Sequence, residues 1–268
     1  MPELPEVETI RRQLQQHYRG EQIHRLEVHT PTLLKNLSPE ALVEAVTGKT
    51  IQNFRRRGKF LIFEIDHQQL VFHLGMSGIF VQDVHQSRYP RHIHLSFTFR
   101  SGKQLHYQDV RKFGGIWWYR TPHHFPELGM EPLSQNFTLN KFKKLLHLRR
   151  MNIKRLLMEQ SIIAGIGNIY ANEMLFQAGI SPLRRSDTLS VDEVRRLHRA
   201  IQDVLKAAIE RFGTTYSAYR TVEGQSGENQ KFLKVYHQQG QPCPRCGKPI
   251  QKIVLNGRST FYCPGCQK

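Results

Sequence analysis

The first half of the chain is organised around His92-Ile93-His94-Leu95-Ser96-Phe97-Thr98-Phe99. Apolar and polar residues alternate strictly along this stretch, so its apolar side chains lie on one face of a β-strand. Short apolar runs bounded by polar residues or glycine surround it, at residues 60–65, 70–73, 79–84, 104–107 and 116–119. Short strands at this close spacing predict a β-sandwich.

Helical patterns precede and follow the strands. A first helix begins near Pro5, and a second follows the N-cap residue Ser38. From about residue 138 the apolar residues recur with a helical period. Helices are predicted after Thr138, over 152–160 and 168–178, and after Ser190, where Glu193 completes a capping box. Residues 122–136, rich in proline, are the predicted linker between the β-rich and helical parts.

The composition points to a nucleic-acid partner. The 268 residues include 39 Lys+Arg against 22 Asp+Glu, a formal net charge of +17, and the basic residues are spread along the chain. We therefore expect a folded basic surface that attracts a polyanion, the alternative being a basic protein with no specific ligand. No stretch approaches the ~18 apolar residues of a membrane span, and the start of the chain is acidic, unlike a secretory signal. We expect a soluble, cytoplasmic protein with no membrane partner.

All four cysteines lie near the C-terminus, in Cys243-Pro-Arg-Cys246 and Cys263-Pro-Gly-Cys266. Two such pairs at this separation predict one structural Zn²⁺ with four thiolate ligands, and disulfides are the disfavoured alternative. Asn256-Gly257 between the pairs is typical of a type I′ turn, so the metal is expected to clamp a β-hairpin with Arg258 at its tip. Arg258 is there either as a phosphate contact or as an ordinary solvated turn residue.

The start of the chain carries a candidate nucleophile. Removal of Met1 exposes the secondary amine of Pro2, and an α-amino group with a pKa of ~7.7–8.0 is partly neutral at pH 7. Glu3 is placed to act as a general acid, and Glu6 to orient the site. Taken alone, these residues are explained better by plain capping of the first helix.

Five blocks in register carry a family resemblance. They are Met1-Pro-Glu-Leu-Pro-Glu-Val-Glu-Thr9, His73-Leu-Gly-Met-Ser-Gly78, Asp109-Val-Arg-Lys-Phe-Gly114, Gly165-Ile-Gly-Asn-Ile-Tyr170 and the four cysteines. In this order they resemble bacterial formamidopyrimidine-DNA glycosylase over essentially the whole chain.

The resemblance implies a multidomain α+β fold. Residues 1–133 are then a catalytic β-sandwich domain bearing the catalytic N-terminal helix, and 134–223 a helix-two-turn-helix DNA-binding domain. Residues 224–268 hold the lesion loop and the four-cysteine zinc-finger β-hairpin. The implied activity is bifunctional: excision of oxidised purines such as 8-oxoguanine and formamidopyrimidines from duplex DNA, followed by strand cleavage at the abasic sugar. We expect a monomer acting on double-stranded DNA that contains an oxidised purine or an abasic site.

By the same resemblance, Pro2 attacks the sugar C1′ to form a Schiff base, and Glu3 protonates the ring oxygen. Glu6 orients the site. Lys59, in Arg55-Arg-Arg-Gly-Lys59, and Arg258 serve at the phosphates expelled by β,δ-elimination. A solvated strand end is the alternative for this basic run.

The resemblance also implies a set of DNA contacts. Met76, Arg111 and Phe113 fill the gap left by the extruded nucleotide, although Met76 and Phe113 as isolated residues would more often belong to a core. The remaining implied contacts are His92, Arg149, Lys154 and Asn168, the last at a helix start suited to binding a phosphate.

Two alternatives remain open from sequence. An endonuclease VIII-like enzyme for oxidised pyrimidines shares the Pro2-Glu3 chemistry and the zinc finger, whereas a noncatalytic zinc-finger protein would bind DNA without breaking bonds. The segment 224–229 lacks an aromatic residue often found in the family's lesion loop, so the preferred lesion is less well determined than the chemistry.

Overall fold

The structure is a computed structural model that describes residues 1–87, 89–216 and 218–268. These residues form two compact units, one comprising Met1–Phe125 with Arg211–Gln230, the other Pro126–Glu210 with Lys231–Lys268. The three-domain division drawn from the sequence stays a prediction. No helix within the described ranges is long and apolar enough to cross a membrane.

The first unit contains two antiparallel four-stranded sheets, which confirms the predicted β-sandwich. One sheet has the order β1-β6-β7-β5 and the other β2-β3-β4-β8. The strands are β1 (Ile23–Val28), β2 (Ile51–Arg57), β3 (Phe60–Ile65), β4 (Gln68–His73), β5 (Gly78–Val81), β6 (Ile93–Phe99), β7 (Gln104–Asp109) and β8 (Gly115–Tyr119). Leu95, Phe97 and Phe99 of the alternating stretch are buried in the core, as their shared face predicts.

Helix α1 (Leu4–Tyr18) belongs to the same core, because Val7, Ile10 and Leu14 recur at helical spacing and are fully buried. Helix α2 (Pro39–Val46) begins at Ser38, whose hydroxyl accepts the Ala41 N–H. Burial of α1 against the sandwich brings the first residues of the chain into the protein interior.

The second unit contains four α-helices and a hairpin: α3 (Leu139–His147), α4 (Ile153–Met158), α5 (Asn168–Ala178), α6 (Val191–Glu210), β9 (Gln251–Leu255) and β10 (Arg258–Tyr262). The predicted caps are present, since Thr138 accepts from the Lys141 N–H. Ser190 and Glu193 exchange hydrogen bonds as a capping box. The predicted mixed architecture of sandwich, helices and zinc hairpin is thus confirmed.

The segment Arg211–Gln230 packs with the sandwich rather than with the helices that precede it. Tyr219 and Val222 are buried in the sandwich core, and the side chain of Gln13 in α1 accepts the Val222 N–H at 2.8 Å. Contacts from this late segment therefore reach the helix that begins the chain.

Candidate functional site

The start of the chain is buried and held from two directions. Pro2 is buried, and Glu3 and Glu6 are 2% and 1% exposed. One oxygen of the Glu6 carboxylate accepts the Glu3 N–H at 2.8 Å, and the other accepts the Thr214 N–H at 2.8 Å. Glu6 thus ties the first turn of α1 to the 211–230 segment, which fixes the position of Pro2 and Glu3.

Charged groups of both signs surround the α-amino group of Met1, which precedes the buried Pro2. Burial lowers the pKa of that amine from its usual 8.0, Glu3 and Glu6 raise it, and Lys59 and Arg111 lower it. Lys59 is 8% exposed and lies in the turn between β2 and β3. A lowered pKa increases the neutral fraction of the amine near pH 7, and the neutral amine is the nucleophilic form.

Two neighbouring loops of the same unit present exposed side chains. Met76, between β4 and β5, is 38% exposed, and Phe113, between β7 and β8, is 58% exposed. The Arg111 guanidinium stacks over the Phe113 ring at 4.6 Å. An exposed Met and Phe beside an Arg are unusual at the surface of a sandwich, and they match the three residues that the sequence singled out for gap filling.

His92 lies immediately before β6 and is half-buried. The rings of His92 and Tyr89 are 6.2 Å apart in an edge-on arrangement. The structure therefore places Pro2, Glu3, Glu6, Lys59, Met76, His92, Arg111 and Phe113 in the first unit, and Arg149, Lys154, Asn168, Arg258 and the cysteines in the second.

In the second unit, the carbonyl of Ser259 accepts hydrogen bonds from two predicted residues. Lys154 Nζ donates to it at 3.0 Å and to Thr260 Oγ1 at 2.7 Å, while Asn168 Nδ2 donates to it at 3.0 Å. Arg258, the residue before, is exposed. Lys154 and Arg258 also line a groove of about 190 Å³ between α4 and the hairpin tip. Asn168 Oδ1 is buried and has no hydrogen-bond partner within the described part of the chain.

Lys154 itself is only 2% exposed, and its ammonium is held inside the protein by its hydrogen bonds to Ser259 and Thr260. Arg149 is exposed and lies just after α3. Among the described residues, no recorded contact joins it to Lys154, Asn168 or Arg258. The structure thus gathers Lys154, Asn168 and Arg258 around one strand end.

The four cysteine sulfurs converge at the base of the hairpin, all within 4.8 Å of one another. Cys246 Sγ and Cys263 Sγ are 3.4 Å apart, and Cys243 Sγ and Cys266 Sγ 3.7 Å, close to the roughly 3.8 Å between ligands of a tetrahedral thiolate zinc site. Asn256 and Gly257 both have positive φ, as the predicted type I′ turn requires. The donor set and its geometry fit one structural Zn²⁺.

Sequence patterns missed several residues that organise these regions. The Glu173 carboxylate in α5 accepts the N–H groups of Lys234, Val235 and Tyr236; burial raises its pKa, and these three hydrogen bonds oppose the shift. Asp109 begins the motif at residues 109–114, which predicts no role for it, yet its carboxylate is fully buried between the two exposed loops. Glu173 lies within α5 and Asp109 ends β7, and no local pattern distinguishes these two buried acids from acids at a surface.

Comparisons with known proteins cover nearly the whole chain. Residues 1–116 match the formamidopyrimidine-DNA glycosylase N-terminal domain, 128–220 the H2TH domain of that enzyme, and 240–268 a zinc finger found in FPG and IleRS. Formamidopyrimidine-DNA glycosylase of Pelotomaculum thermopropionicum is 44% identical over 274 residues, covering 100% of this chain and 99% of the relative. This chain belongs to the formamidopyrimidine-DNA glycosylase family. It is a zinc-finger DNA glycosylase of DNA repair, and the four-cysteine cluster is its zinc site.

Solved structures of family members have the same fold. A Lactococcus lactis FPG mutant in complex with Fapy-dG-containing DNA has a TM-score of 0.92 and 38% sequence identity, with 100% of both chains covered. Lactococcus lactis Fpg in complex with abasic-site DNA has a TM-score of 0.90 and 39% identity, with 99% of both chains covered. The resemblance found in the sequence motifs is therefore confirmed for the family and for the fold.

Proposed function

We propose that this protein is a bifunctional glycosylase and abasic-site lyase that excises oxidised purines from duplex DNA through a Schiff base at Pro2. The observation that carries the proposal is the burial of Pro2, Glu3 and Glu6 beside the Met1 α-amino group, on which Glu3, Glu6, Lys59 and Arg111 act together. The relatives support the substrate class, since one family member is bound to Fapy-dG DNA and another to abasic-site DNA.

In the proposed reaction, the amine released by removal of Met1 attacks the sugar C1′, and the base leaves with the electrons of the broken glycosidic bond. Glu3 donates a proton to the ring oxygen, which opens the sugar and yields the iminium. The iminium acidifies the C2′ proton, so its loss expels the 3′ phosphate, and a second elimination expels the 5′ phosphate. Lys59 and Arg258 stabilise the charge on these two leaving phosphates.

The basic and apolar surface residues bind the DNA in this proposal. Met76, Arg111 and Phe113 enter the space vacated by the extruded nucleotide. The proposed contacts with the DNA backbone are made by His92, Arg149, Lys154 and Asn168. Lys154 and Asn168 act beside Arg258, because both bind the carbonyl of the adjacent Ser259, and Asn168 Oδ1 has no hydrogen-bond partner among the described residues. We further propose that the protein acts as a monomer in the bacterial cytoplasm, where its DNA lies.

Borohydride trapping tests the nucleophile. Protein from which Met1 has been removed is mixed with an 8-oxoguanine duplex and borohydride, and the reduced adduct is mapped by peptide mass spectrometry. We expect the sugar on Pro2, because only its amine is neutral enough and correctly held. The matched controls are Lys59→Ala, which removes the nearest lysine amine, and protein in which an N-terminal extension keeps the Pro2 nitrogen in an amide. An adduct on a lysine, or one that survives the extension, contradicts the proposal.

Lesion preference needs its own test, because an endonuclease VIII-like enzyme would show the same trapping. Excision from matched 8-oxoguanine and thymine glycol duplexes is measured side by side under single-turnover conditions. We expect faster release of the purine. Faster release of the pyrimidine would overturn the substrate assignment while leaving the Pro2 chemistry intact.

A further inference from the structure

Asp109 lies where the two exposed loops of the sandwich unit meet. It ends β7, pairs with Gly78 at the start of β5, and is 0% exposed. One loop follows it and carries Arg111 and Phe113, and the other ends at β5 and carries Met76. A fully buried carboxylate between two surface loops is stable only if its oxygens are hydrogen-bonded.

The Asp109 carboxylate is hydrogen-bonded to both loops. Oδ1 accepts from the Ser77 hydroxyl in the first loop and from the Arg111 N–H at 3.2 Å in the second. Oδ2 accepts the Gly114 N–H at 2.9 Å. The Ser77 oxygen in turn accepts the Arg111 N–H at 3.0 Å. The residues after Met76 and on both sides of Phe113 are therefore anchored to one side chain.

Backbone packing brings the same loops together independently of these hydrogen bonds. A Cβ added to Gly75 would lie 2.5 Å from the Phe113 carbonyl carbon and 2.6 Å from the Gly114 nitrogen. The Gly75 φ of +57° also belongs to the left-handed region. The two loops thus touch backbone to backbone at Gly75.

The backbone carbonyl of Asp109 is hydrogen-bonded to the neighbouring strand β6. His94 of β6, only 1% exposed, hydrogen-bonds the Asp109 carbonyl through Nε2 at 2.8 Å and the Thr30 hydroxyl through Nδ1 at 2.8 Å. The backbone of Asp109 is therefore held by a rigid strand while its carboxylate holds the loops. The fully buried Asp109 therefore fixes the separation of the two loops that carry the exposed Met76 and Phe113 side chains.

We propose that Asp109 is a positioning residue that joins the two loops into one rigid wedge, so that Met76 and Arg111–Phe113 enter the duplex together. This inference rests on the proposed gap-filling role of those three residues. To force a damaged base out of the stack, the side chains of Met76, Arg111 and Phe113 must enter the duplex together, whereas an abasic site has no base to unstack. Asp109 should therefore matter for lesion extrusion and much less for chemistry at an abasic sugar.

Asp109→Asn tests the proposal with little change in volume. The amide retains one acceptor oxygen but places an N–H₂ donor against one of the loop N–H groups. We expect excision of 8-oxoguanine to fall by about 10- to 100-fold, as for loss of a buried charged hydrogen-bond acceptor. Strand cleavage at a preformed abasic site in the same sequence should stay within about threefold of wild type.

Ser77→Ala and Ser96→Ala form a matched pair. Both remove a buried serine hydroxyl from the sandwich unit, but Ser96 bonds to His29 and His106, away from the wedge. Ser77→Ala should lower excision in the same direction as Asp109→Asn, and the double variant should lose less than the two losses combined. Ser96→Ala should leave the ratio of excision to abasic cleavage unchanged.

A fluorescent 2-aminopurine beside the lesion reports unstacking without any bond cleavage. Wild type should increase its fluorescence, and Asp109→Asn should not. If Asp109→Asn loses excision and abasic cleavage equally and its melting temperature falls, the role of Asp109 is purely structural and the inference is overturned. A wild-type ratio of excision to abasic cleavage in the variant would overturn it as well. Failure of the proposed chemistry is distinguishable, since wild type would then form no Pro2 adduct while the fluorescence difference between wild type and Asp109→Asn persists.

Discussion

The buried chain start and the zinc hairpin are built in opposite ways. At the chain start, Glu6 binds the backbone of Glu3 and of Thr214, residues separated by most of the chain. At the hairpin, the Asn256-Gly257 turn and the four cysteines lie within one short C-terminal stretch. The first region depends on distant contacts that bury carboxylates, whereas the turn and metal ligands of the second are local and distant contacts, such as those of Lys154 and Asn168 with Ser259, only add to them.

The difference explains where each region is vulnerable. The hairpin cluster buries few apolar side chains, among them Val235, Ile250 and Phe261, too few to hold so small a segment without metal. The chain start is supported by the sandwich core, so single changes there should disturb geometry before they unfold the domain. Three predictions distinguish these two modes of support.

Loss of a zinc ligand should have the largest effect. Cys243→Ser removes one of four thiolates, and structural zinc sites contribute on the order of 10 kcal/mol to folding of small fingers. We expect the hairpin to unfold, zinc content to fall, and affinity for duplex DNA to drop at least about 100-fold because Arg258 loses its place. Zinc assay, circular dichroism and fluorescence anisotropy measure these changes.

Val254→Ser is the control for that experiment, because the Val254 side chain lies on β9 and is 68% exposed, unlike the buried ligand Cys243. It should retain zinc and DNA affinity. DNA binding by the zinc-free protein at wild-type strength would show that the hairpin is not part of the DNA-binding surface.

Glu6→Gln should have an intermediate effect that is concentrated on chemistry. Glutamine keeps one acceptor oxygen, so either the Glu3 or the Thr214 N–H loses its partner, at a cost of about 1–3 kcal/mol in unfolding free energy. We expect trapping to slow by about tenfold on lesion and abasic duplexes alike, because the amine is displaced in both. Urea unfolding and single-turnover trapping measure the two quantities.

Glu44→Gln in α2 provides the matched control, since Glu44 is exposed. It should change neither quantity. If Glu6→Gln lowers stability but traps both substrates at the wild-type rate, Glu6 only caps the helix and does not orient the amine.

Arg245→Lys should have the smallest effect. Arg245 donates to the Phe176 carbonyl at 2.8 Å and the Gln177 carbonyl at 3.0 Å, and its guanidinium stacks on the Phe176 ring at 4.4 Å. Lysine cannot reproduce the planar two-carbonyl contact, so we expect about 1 kcal/mol less stability in urea unfolding. Arg195→Lys, at an exposed ion pair with Asp192, should be neutral. A neutral Arg245→Lys would mean that the other contacts of the finger with α5, such as the Asn168 bond to Ser259, hold it there without the arginine.

The sequence predicted the parts of the fold that depend on neighbouring residues. Capping at Ser190, the Asn256-Gly257 turn and the alternation ending at Phe99 were confirmed because each depends on local backbone geometry. Strands β1 and β2 were missed, since polar and charged residues occupy half or more of each. Their place is set by pairing with β6 and β3.

The sequence by itself determined the family, the presence of a β-sandwich followed by helices, and the zinc ligands, because motifs, periodicity and cysteine spacing are properties of contiguous residues. Only the tertiary structure decided that Glu6 binds Thr214, that Asp109 joins two loops, and that Ser259 gathers Lys154 and Asn168. The Glu6, Lys154 and Asn168 bonds join groups that are far apart in sequence, and the Asp109 carboxylate likewise binds the distant Ser77. Burial then makes them necessary, since an unpaired polar group in the interior would cost more than the contact itself contributes.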